Sequence, residues 1–376
     1  MKALHLFSNC KWTGPAEPAL NLCVALRRLG LDVDFACAPH AGRSINKIVE
    51  TARDRGIEPR LELHLSKHRH LIKNWIDRRS LASILQSGAY DLVHCHLDND
   101  HRIALRPCAK AGVPLVRSSY QGAGFRALRD AATLLDGAAF LIESSQIAAD
   151  YDARAYGFPT ERMRVVPGAV DTERFDTTRQ VPDGRRWMGI PHDAFVVGIV
   201  ARLQAHRHYE VLFQALRRLV DERPNVHTII VGRGTKQQQV GKAPVKNLGL
   251  ERNVHFAGFI EGENYVGMLK AFDVKVFLVP GSDGACRAVR EAMAMAKPVI
   301  AADRGMLREI VHHGRTGLIF DGSADGLHDA LGRLADDRAQ MRALGRAARE
   351  YALANYALDV QARAVRDVYQ SVLNPN

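Results

Sequence analysis

Short apolar runs rich in β-branched residues alternate with helical segments along most of the sequence. Parallel strands need crossover connections, which are usually helices, so this alternation favours parallel sheets covered on both faces. In the first half the predicted strands are 3–7, 33–36, 61–65, 92–96, 115–117, 140–143 and 164–166. In the second half they are 196–201, 228–231, 254–257, 274–278, 299–301 and 317–320. The sequence therefore predicts an α/β protein with Rossmann-like sheets.

A polar segment at 171–189 interrupts the alternation and indicates a linker between two domains. A chain of 376 residues is long enough for two domains of ordinary size. We expect an N-terminal Rossmann-like domain over 1–175, a second one over 176–357, and a helix in 358–376 that crosses back to the first. Ligands of such sheets bind at the carboxyl ends of the strands, so two facing domains predict a site in the cleft between them.

Composition and charge limit the classes of partner. The net charge is +11, which suits nucleic acid, an anionic membrane surface or phosphorylated small molecules. No helix-turn-helix, RNA-recognition or zinc-finger pattern occurs, so we expect no nucleic-acid partner. The six cysteines are scattered without a C-x-x-C pair, as in reduced cytosolic proteins. No signal peptide or membrane-spanning run is found, and we expect a cytoplasmic protein of unknown oligomeric state.

The segment 67–86 is basic and has a helical pattern with one apolar stripe. The stripe consists of Leu71, Ile72, Trp75 and Ile76. One interpretation is a helix that docks on an anionic membrane surface, such as the inner face of the cell membrane. The other is an ordinary amphipathic helix packed on its own sheet, which is the commoner use of such a pattern and is favoured here.

The segment 279–291 joins a strand, a glycine-bearing turn and a helix. If the helix begins near Ala285, Asp283 lies at its mouth and Glu291 about two turns further on. Unpaired backbone N–H groups and the helix dipole favour an anion at such a terminus. A phosphate site with two carboxylates that can accept hydrogen bonds from hydroxyls suggests a sugar nucleotide.

Two arginines follow the first predicted strand of the second half. Arg202 and Arg207 are spaced so that both could clamp a diphosphate, and they would also neutralise a diphosphate leaving group. Taken alone they are equally compatible with a solvated basic loop. Together with the anion site at 279–291, they favour a binding site for the diphosphate of a sugar nucleotide.

Two glycine turns follow later strands. Gly232 and Gly234 would allow a ligand to approach the backbone, or would simply form a turn. Backbone groups around Phe259 and Ile260 could contact the edge of a nucleobase, or could belong to an ordinary strand end.

In the first half, His94 and His96 lie near the end of a predicted strand, where either could face a ligand or the core. The run 98–100 has a D-x-D pattern, which some enzymes use to hold a metal ion. Such a short polar run more often caps a helix, so we expect a cap here and no metal.

Four motifs in order resemble the retaining glycosyltransferases of the GT-B fold, specifically glycosyltransferase family 4. The E-x7-E motif of that family corresponds to Asp283-x7-Glu291, and its G-R-L-x4-K-G segment to 201–203 with Arg207 at the lysine position. Its P-N-G-V-D hinge corresponds to 167–171, and its G-G-x-E loop to 14–17. The resemblance implies a GT-B fold in which two Rossmann-like domains face each other across a cleft.

The resemblance also implies roles for these residues. Arg202 and Arg207 would hold the donor diphosphate, Glu291 would bind the ribose hydroxyls, and Asp283 would contact the transferred sugar. Gly14 would lie near the phosphates. Further donor contacts are expected from the helix mouth and the glycine turns: Gly284, Ala285, Cys286, Arg287, Gly232, Gly234, Phe259 and Ile260.

The chain departs from the family pattern at four positions. Asp283 replaces a glutamate, Pro15 and Cys286 replace glycines, and Tyr120 stands where members often have a catalytic histidine. Tyrosine is a poor proton acceptor at neutral pH because its ordinary pKa is about 10. Either Tyr120 or His96 is therefore expected to contact the sugar in place of that histidine.

The implied activity is a retaining, metal-independent transfer of a sugar from a nucleoside diphosphate, UDP among them, to an acceptor hydroxyl. The acceptor would be a glycan, a lipid-linked precursor or a small molecule, as in the biosynthesis of cell-envelope lipopolysaccharide. No cofactor is expected. Two alternatives stay open: a nucleotide-sugar epimerase of the same fold, which would change the sugar of the donor alone, and a non-catalytic protein that binds sugar nucleotides.

Overall fold

The computed structural model describes residues 1–39, 46–126, 128–280 and 283–374, and the side chains of all of these except 283–285. The chain forms two compact units. The first unit contains residues 1–169 and the segment from Leu358 onward, and the second contains Val170–Pro280 and Cys286–Ala357.

The first unit is built on a parallel sheet of six strands. The strands are β1 (Lys2–Phe7), β2 (Asp32–Cys37), β3 (Leu92–Cys95), β4 (Leu115–Ser118), β5 (Phe140–Glu143) and β6 (Met163–Val165). The helices before the second unit are α1 (Ala16–Arg28), α2 (Lys47–Asp54), α3 (Leu71–Gln86), α4 (Asp98–Ala111), α5 (Ala131–Asp136) and α6 (Gln146–Tyr156). The strand order is β2-β1-β3-β4-β5-β6, so the winding direction reverses between β1 and β3.

The second unit also has a parallel sheet of six strands. The strands are β7 (Phe195–Val200), β8 (Val226–Val231), β9 (Val254–Gly258), β10 (Val274–Phe277), β11 (Val299–Ala302) and β12 (Gly317–Phe320). The helices are α7 (Gly184–Met188), α8 (Tyr209–Glu222), α9 (Ala243–Asn247), α10 (Gly262–Ala271), α11 (Asp283–Ala294), α12 (Leu307–Ile310), α13 (Ala324–Asp336) and α14 (Arg338–Tyr356). The order β12-β11-β10-β7-β8-β9 places the reversal between β7 and β10.

The last helix, α15 (Leu358–Leu373), belongs to the first unit. Its buried side chains Val365 and Val368 share a core cluster with Leu20 of α1. The Gln361 side chain also donates a hydrogen bond of 3.1 Å to the carbonyl of Pro167. The segment 171–189 lies in the second unit, where Phe175 is buried in a core cluster.

The predicted strand 61–65 is wrong. Leu63 and Leu65 are buried, but 61–65 forms no strand, and the isolated bridge to Ala36 of the sheet is made by the preceding residue, Arg60. Asp77 of α3 takes the backbone N–H groups that a strand would need, accepting from His64 at 2.8 Å and from Leu65 at 3.0 Å. A side-chain carboxylate has therefore replaced the neighbouring strand as hydrogen-bond acceptor.

The prediction that the apolar stripe of α3 packs on the sheet is also wrong. Leu71, Ile72, Trp75 and Ile76 are all exposed to solvent, whereas Asn74 and Asp77 are buried. Apolar side chains normally turn inward on a helix of this kind. The first two turns of α3 therefore have the reverse orientation, and the stripe remains free to bind something else.

The D-x-D run caps helix α4, as predicted. The Asp100 carboxylate accepts hydrogen bonds from the backbone N–H of Leu97 at 2.9 Å and of Ser8 at 2.9 Å. The Asp98 carboxylate accepts from the Arg117 guanidinium at 2.8 Å. Both carboxylates are thus engaged in hydrogen bonds within the protein at the start of helix α4.

Candidate active site

The second sheet places two loops side by side where its winding direction reverses. Strand β7 leads into the loop that carries Arg202 and Arg207, and the neighbouring strand β10 leads to Val279. The Arg207 Nη1 lies 3.5 Å from the Val279 carbonyl oxygen. The Arg207 Nε is buried and has no hydrogen-bond partner among the described residues. This geometry leaves a guanidinium with unused donor capacity at the point where such sheets bind ligands.

Gly232 and Gly234 hold the next loop tightly against the loop of the arginines. A Cβ at Gly232 would lie 2.1 Å from the Ala201 carbonyl oxygen, and a Cβ at Gly234 would lie 2.1 Å from the Leu203 carbonyl oxygen. Gly232 also has φ of +142°, which side-chain-bearing residues rarely adopt. These glycines are therefore required by the protein's own backbone, which they position beside the arginines.

We expect Gly232→Ala to destabilise the second unit by about 1–3 kcal/mol and to weaken donor binding, because the two loops must separate. Chemical denaturation and nucleotide titration would measure the two effects. Gly262→Ala is the matched control, because Gly262 has φ of +62° and no atom within 4 Å of the added Cβ. Equal destabilisation by the two variants would show that strain in φ, and not the backbone contact, is responsible.

An aromatic side chain is exposed after β9. Phe259 is 60% exposed, and the Arg233 guanidinium carbon lies 5.2 Å from its ring centroid. Exposed aromatic rings with a stacked cation are suited to binding a planar base. Arg233 was not identified from the sequence, although its position between Gly232 and Gly234 was a usable signal. Ile260 is partly buried against the core.

Helix α11 carries the buried carboxylate of Glu291. The Tyr265 hydroxyl donates to Glu291 Oε2 at 2.5 Å, and the Arg287 Nε lies 3.0 Å from Glu291 Oε1. The side chain of Glu291 is 5% exposed. Ribose hydroxyls could reach this carboxylate only if Arg287 moved aside or shared it.

The Lys275 side chain is buried in the second unit and has no hydrogen-bond partner among the described residues. Burial lowers the pKa of Lys275 to about 7, and the negative charge of Glu291 partly opposes this shift. A single lysine in the otherwise apolar strand VKVFL was the sequence signal for this feature.

Other predicted residues of the helix mouth have different surroundings. The Cys286 side chain is buried in the apolar core and so can offer a ligand only its backbone. The side chain of Asp283 and the side-chain positions of Gly284 and Ala285 lie outside the described residues. Their predicted donor contacts therefore remain predictions.

Three buried histidines form a hydrogen-bonded cluster in the first unit. His5 on β1 lies beside His94 on β3 in the sheet register, and His96 follows on the same side as His94. His5 Nδ1 lies 2.9 Å from His96 Nε2, and the Tyr369 hydroxyl lies 2.9 Å from His5 Nε2 and 2.5 Å from His94 Nδ1. His5 was not predicted from the sequence, although a polar residue in an otherwise apolar strand was a usable signal.

Burial opposes protonation of all three rings. Burial lowers the pKa of His5 to about 3 and lowers the pKa of His94 and His96 well below the usual value. The three rings could hold a metal ion by their proximity. In the described structure, however, each ring nitrogen of the cluster already makes a hydrogen bond, including His94 Nε2 to the Ser118 hydroxyl at 2.8 Å.

Tyr120 connects this cluster to a small pocket. Its hydroxyl lies 2.7 Å from His96 Nδ1, and its side chain lines the pocket together with Ser119, Ser144 and Gln361. His96 is fully buried behind it. Of the two candidates for the contact of the missing histidine, only Tyr120 reaches the pocket, while His96 can act by orienting it.

Gly14 lies in the turn that precedes helix α1 of the first unit. It is exposed, and a Cβ added there would meet no atom within 4 Å. The helix is capped by Pro15, which has no N–H to donate. The turn is thus open to a ligand but offers fewer donors than a glycine pair would.

Two family models match consecutive parts of the chain. Glycosyltransferase Family 4 matches residues 13–174, and Glycosyl transferases group 1 matches residues 183–351. The chain belongs to glycosyltransferase family 4. Both units contain residues of the motifs on which the resemblance was based.

Curated family relatives are D-inositol 3-phosphate glycosyltransferases. The enzyme of Corynebacterium jeikeium is 30% identical over 249 residues, which is 64% of this chain and 59% of the relative. That of Corynebacterium urealyticum is 29% identical over 248 residues, covering 64% and 58%. The chain thus matches less than two thirds of the length of these relatives.

Solved structures establish the GT-B fold. A glycosyltransferase from Rickettsia africae superimposes with a TM-score of 0.83 at 15% identity, covering 100% of this chain and 99% of the other. HepE of Anabaena in complex with UDP gives a TM-score of 0.78 at 19% identity, covering 99% and 100%. Among the described residues of this family member, no helix is both long and apolar enough to cross a membrane.

Proposed function

We propose that the protein is a retaining, metal-independent glycosyltransferase that uses a nucleoside diphosphate sugar, with a UDP sugar as the first candidate. The observation that carries the proposal is the partly unsatisfied guanidinium of Arg207 beside Val279, at the reversal point of the second sheet. A diphosphate supplies the charged acceptors that such a group lacks. Family membership and the UDP bound by HepE are consistent with this donor.

Arg202 and Arg207 would stabilise the charge that develops on the departing diphosphate. The bond between the anomeric carbon and the diphosphate oxygen breaks, and a bond from the acceptor oxygen to the same face of that carbon forms. The acceptor proton passes to an oxygen of the leaving diphosphate. This step needs no protein base, which is consistent with a tyrosine at position 120.

The proposal of metal independence is supported by what the D-x-D run does. The Asp100 carboxylate is buried and accepts hydrogen bonds from the backbone of Leu97 and Ser8, while Asp98 pairs with Arg117. Two carboxylates engaged in this way are poorly placed to bind a metal ion together with a diphosphate. The arginines would supply the positive charge instead.

We assign the acceptor to the first unit, where Tyr120 and the serines of its pocket offer hydroxyl groups. The acceptor would be a glycan, a lipid-linked precursor or a small molecule. We favour a role in cell-envelope or lipopolysaccharide biosynthesis at the cytoplasmic face of the membrane. The names of the relatives make D-inositol 3-phosphate the first small-molecule acceptor to test.

A thermal-shift screen with UDP, GDP, ADP and their glucose conjugates tests the donor. We expect one nucleotide series to raise the melting temperature, and its sugar to be transferred with retention to an added acceptor. A changed sugar in the absence of any acceptor would instead indicate an epimerase. Nucleotide binding without turnover would indicate a binding protein, and no binding at all would contradict the proposed site.

A further inference from the structure

The first two turns of helix α3 are held with their polar side toward the protein. The Asn74 side chain donates to Asn99 at 2.8 Å, and the Asp77 carboxylate accepts from the backbone of His64 and Leu65. Both side chains are buried. Because these buried groups are satisfied by hydrogen bonds, the helix cannot turn its apolar side inward without breaking them.

The opposite side of these turns is apolar and faces solvent. The exposed fractions are 75% for Leu71, 68% for Ile72, 55% for Trp75 and 37% for Ile76. These four are half of the eight large hydrophobic residues that are exposed in the described part of the chain. Their clustering in one six-residue span distinguishes them from the isolated apolar residues found on any surface.

Four basic side chains flank this apolar side in the sequence. Lys67, Arg69, Lys73 and Arg79 are all exposed. The only acidic residue between positions 63 and 86 is Asp77, which is buried. The Arg79 guanidinium lies 4.9 Å from the Trp75 ring centroid, so charge and apolar surface are adjacent. Burial lowers the pKa of Arg78, and the nearby positive charges of Arg106 on α4 and of Arg69 lower it further.

We propose that the α3 surface, consisting of these four apolar and four basic side chains, docks the protein on an anionic lipid bilayer. The apolar residues would enter the interface between headgroups and acyl chains while the cations contact lipid phosphates. A second copy of the chain fits less well, because a twofold contact through this surface would bring like charges together. The inference goes beyond the sugar transfer and does not depend on the donor site.

Co-sedimentation of the full chain with vesicles tests the proposal. We expect binding to mixed phosphatidylcholine and phosphatidylglycerol vesicles and weaker binding to pure phosphatidylcholine, with the difference reduced above about 0.1 M salt. Trp75→Ser and Leu71→Asp should each lower the vesicle partition coefficient at least about tenfold. Lys73→Glu should lower it on anionic vesicles only.

Trp187→Ser is the matched control, because Trp187 is 50% exposed but lies on α7 of the second unit. It should bind vesicles as the wild type does, and circular dichroism should show that all variants are folded. The proposal is overturned if the wild type does not bind anionic vesicles, or if Trp187→Ser loses as much vesicle binding as Trp75→Ser. The proposal would also be overturned if the wild type formed a dimer in the absence of vesicles and Leu71→Asp dissociated that dimer. This result would show that the α3 surface binds a second copy of the chain.

Discussion

Arg207→Ala is expected to reduce the turnover of the preferred nucleotide sugar by roughly 10²–10³-fold. Arg207 Nε has no hydrogen-bond partner among the described residues, so its removal should break few contacts within the protein. The loss would therefore come mainly from charge that builds up on the leaving diphosphate. Release of nucleoside diphosphate and formation of the glycoside measure the effect at saturating donor.

Arg218→Ala provides the comparison, since it removes the same side chain from α8, where Arg218 is exposed and pairs with Asp325. Its turnover should remain within about twofold of the wild type. Glu291→Gln preserves the shape of the buried side chain and should weaken donor binding if the carboxylate receives ribose hydroxyls. Normal activity in both Arg207→Ala and Glu291→Gln would refute the location of the donor site.

Lys275→Met is expected to stabilise the second unit by about 2–4 kcal/mol at pH 7. Burial lowers the pKa of Lys275 to about 7, whereas the unfolded chain keeps the ordinary value of 10.5. Between these two values the unfolded state binds the proton more tightly, so lysine at this position costs stability. Methionine has a similar length and no charge to desolvate.

The sign of the pH dependence follows from the same shift. A lysine with a lowered folded-state pKa contributes fully above its unfolded value, and that contribution is lost as the pH falls toward about 7. The advantage of Lys275→Met over the wild type should therefore shrink by about 2 kcal/mol between pH 7 and pH 9. Urea denaturation at both pH values, with hydrogen exchange in β10, measures the difference.

Only this difference between the two proteins is informative, because other buried groups titrate in both. A gap between variant and wild type that stays constant from pH 7 to pH 9 would show that Lys275 remains charged in the folded protein. A less stable variant would show that its attraction to Glu291 outweighs the cost of burial.

The strand pattern of the sequence was sufficient to predict the sheets. Strands that are buried on both faces appear as short apolar runs, and β12 at Gly317–Phe320 has the predicted bounds. The failure at 61–65 has a different origin. Leu63 and Leu65 supply an apolar alternation typical of a strand, but the partner of their backbone is the distant side chain of Asp77. Such a competitor cannot be recognised from the local pattern.

Prediction of the candidate site had the same limit. The motif residues could be found because each follows a strand, as Arg207 and Gly232 do. The partners that determine their chemistry come from other elements, as when Tyr265 binds Glu291 or His5 meets His96. The apolar stripe of α3 was visible as a pattern, but its direction depends on the buried bonds of Asn74.

Helix α15 delays completion of the first unit during synthesis, because the second unit precedes it in the chain. The Tyr369 hydroxyl bonds to His5 and His94, which lie in strands that are translated well before α15. At ordinary elongation rates, the ribosome needs roughly 10–40 s to produce the second unit before α15 can emerge. During that interval the first sheet exposes the apolar surface that α15 will cover. The nascent chain should therefore engage chaperones until α15 is released from the ribosome.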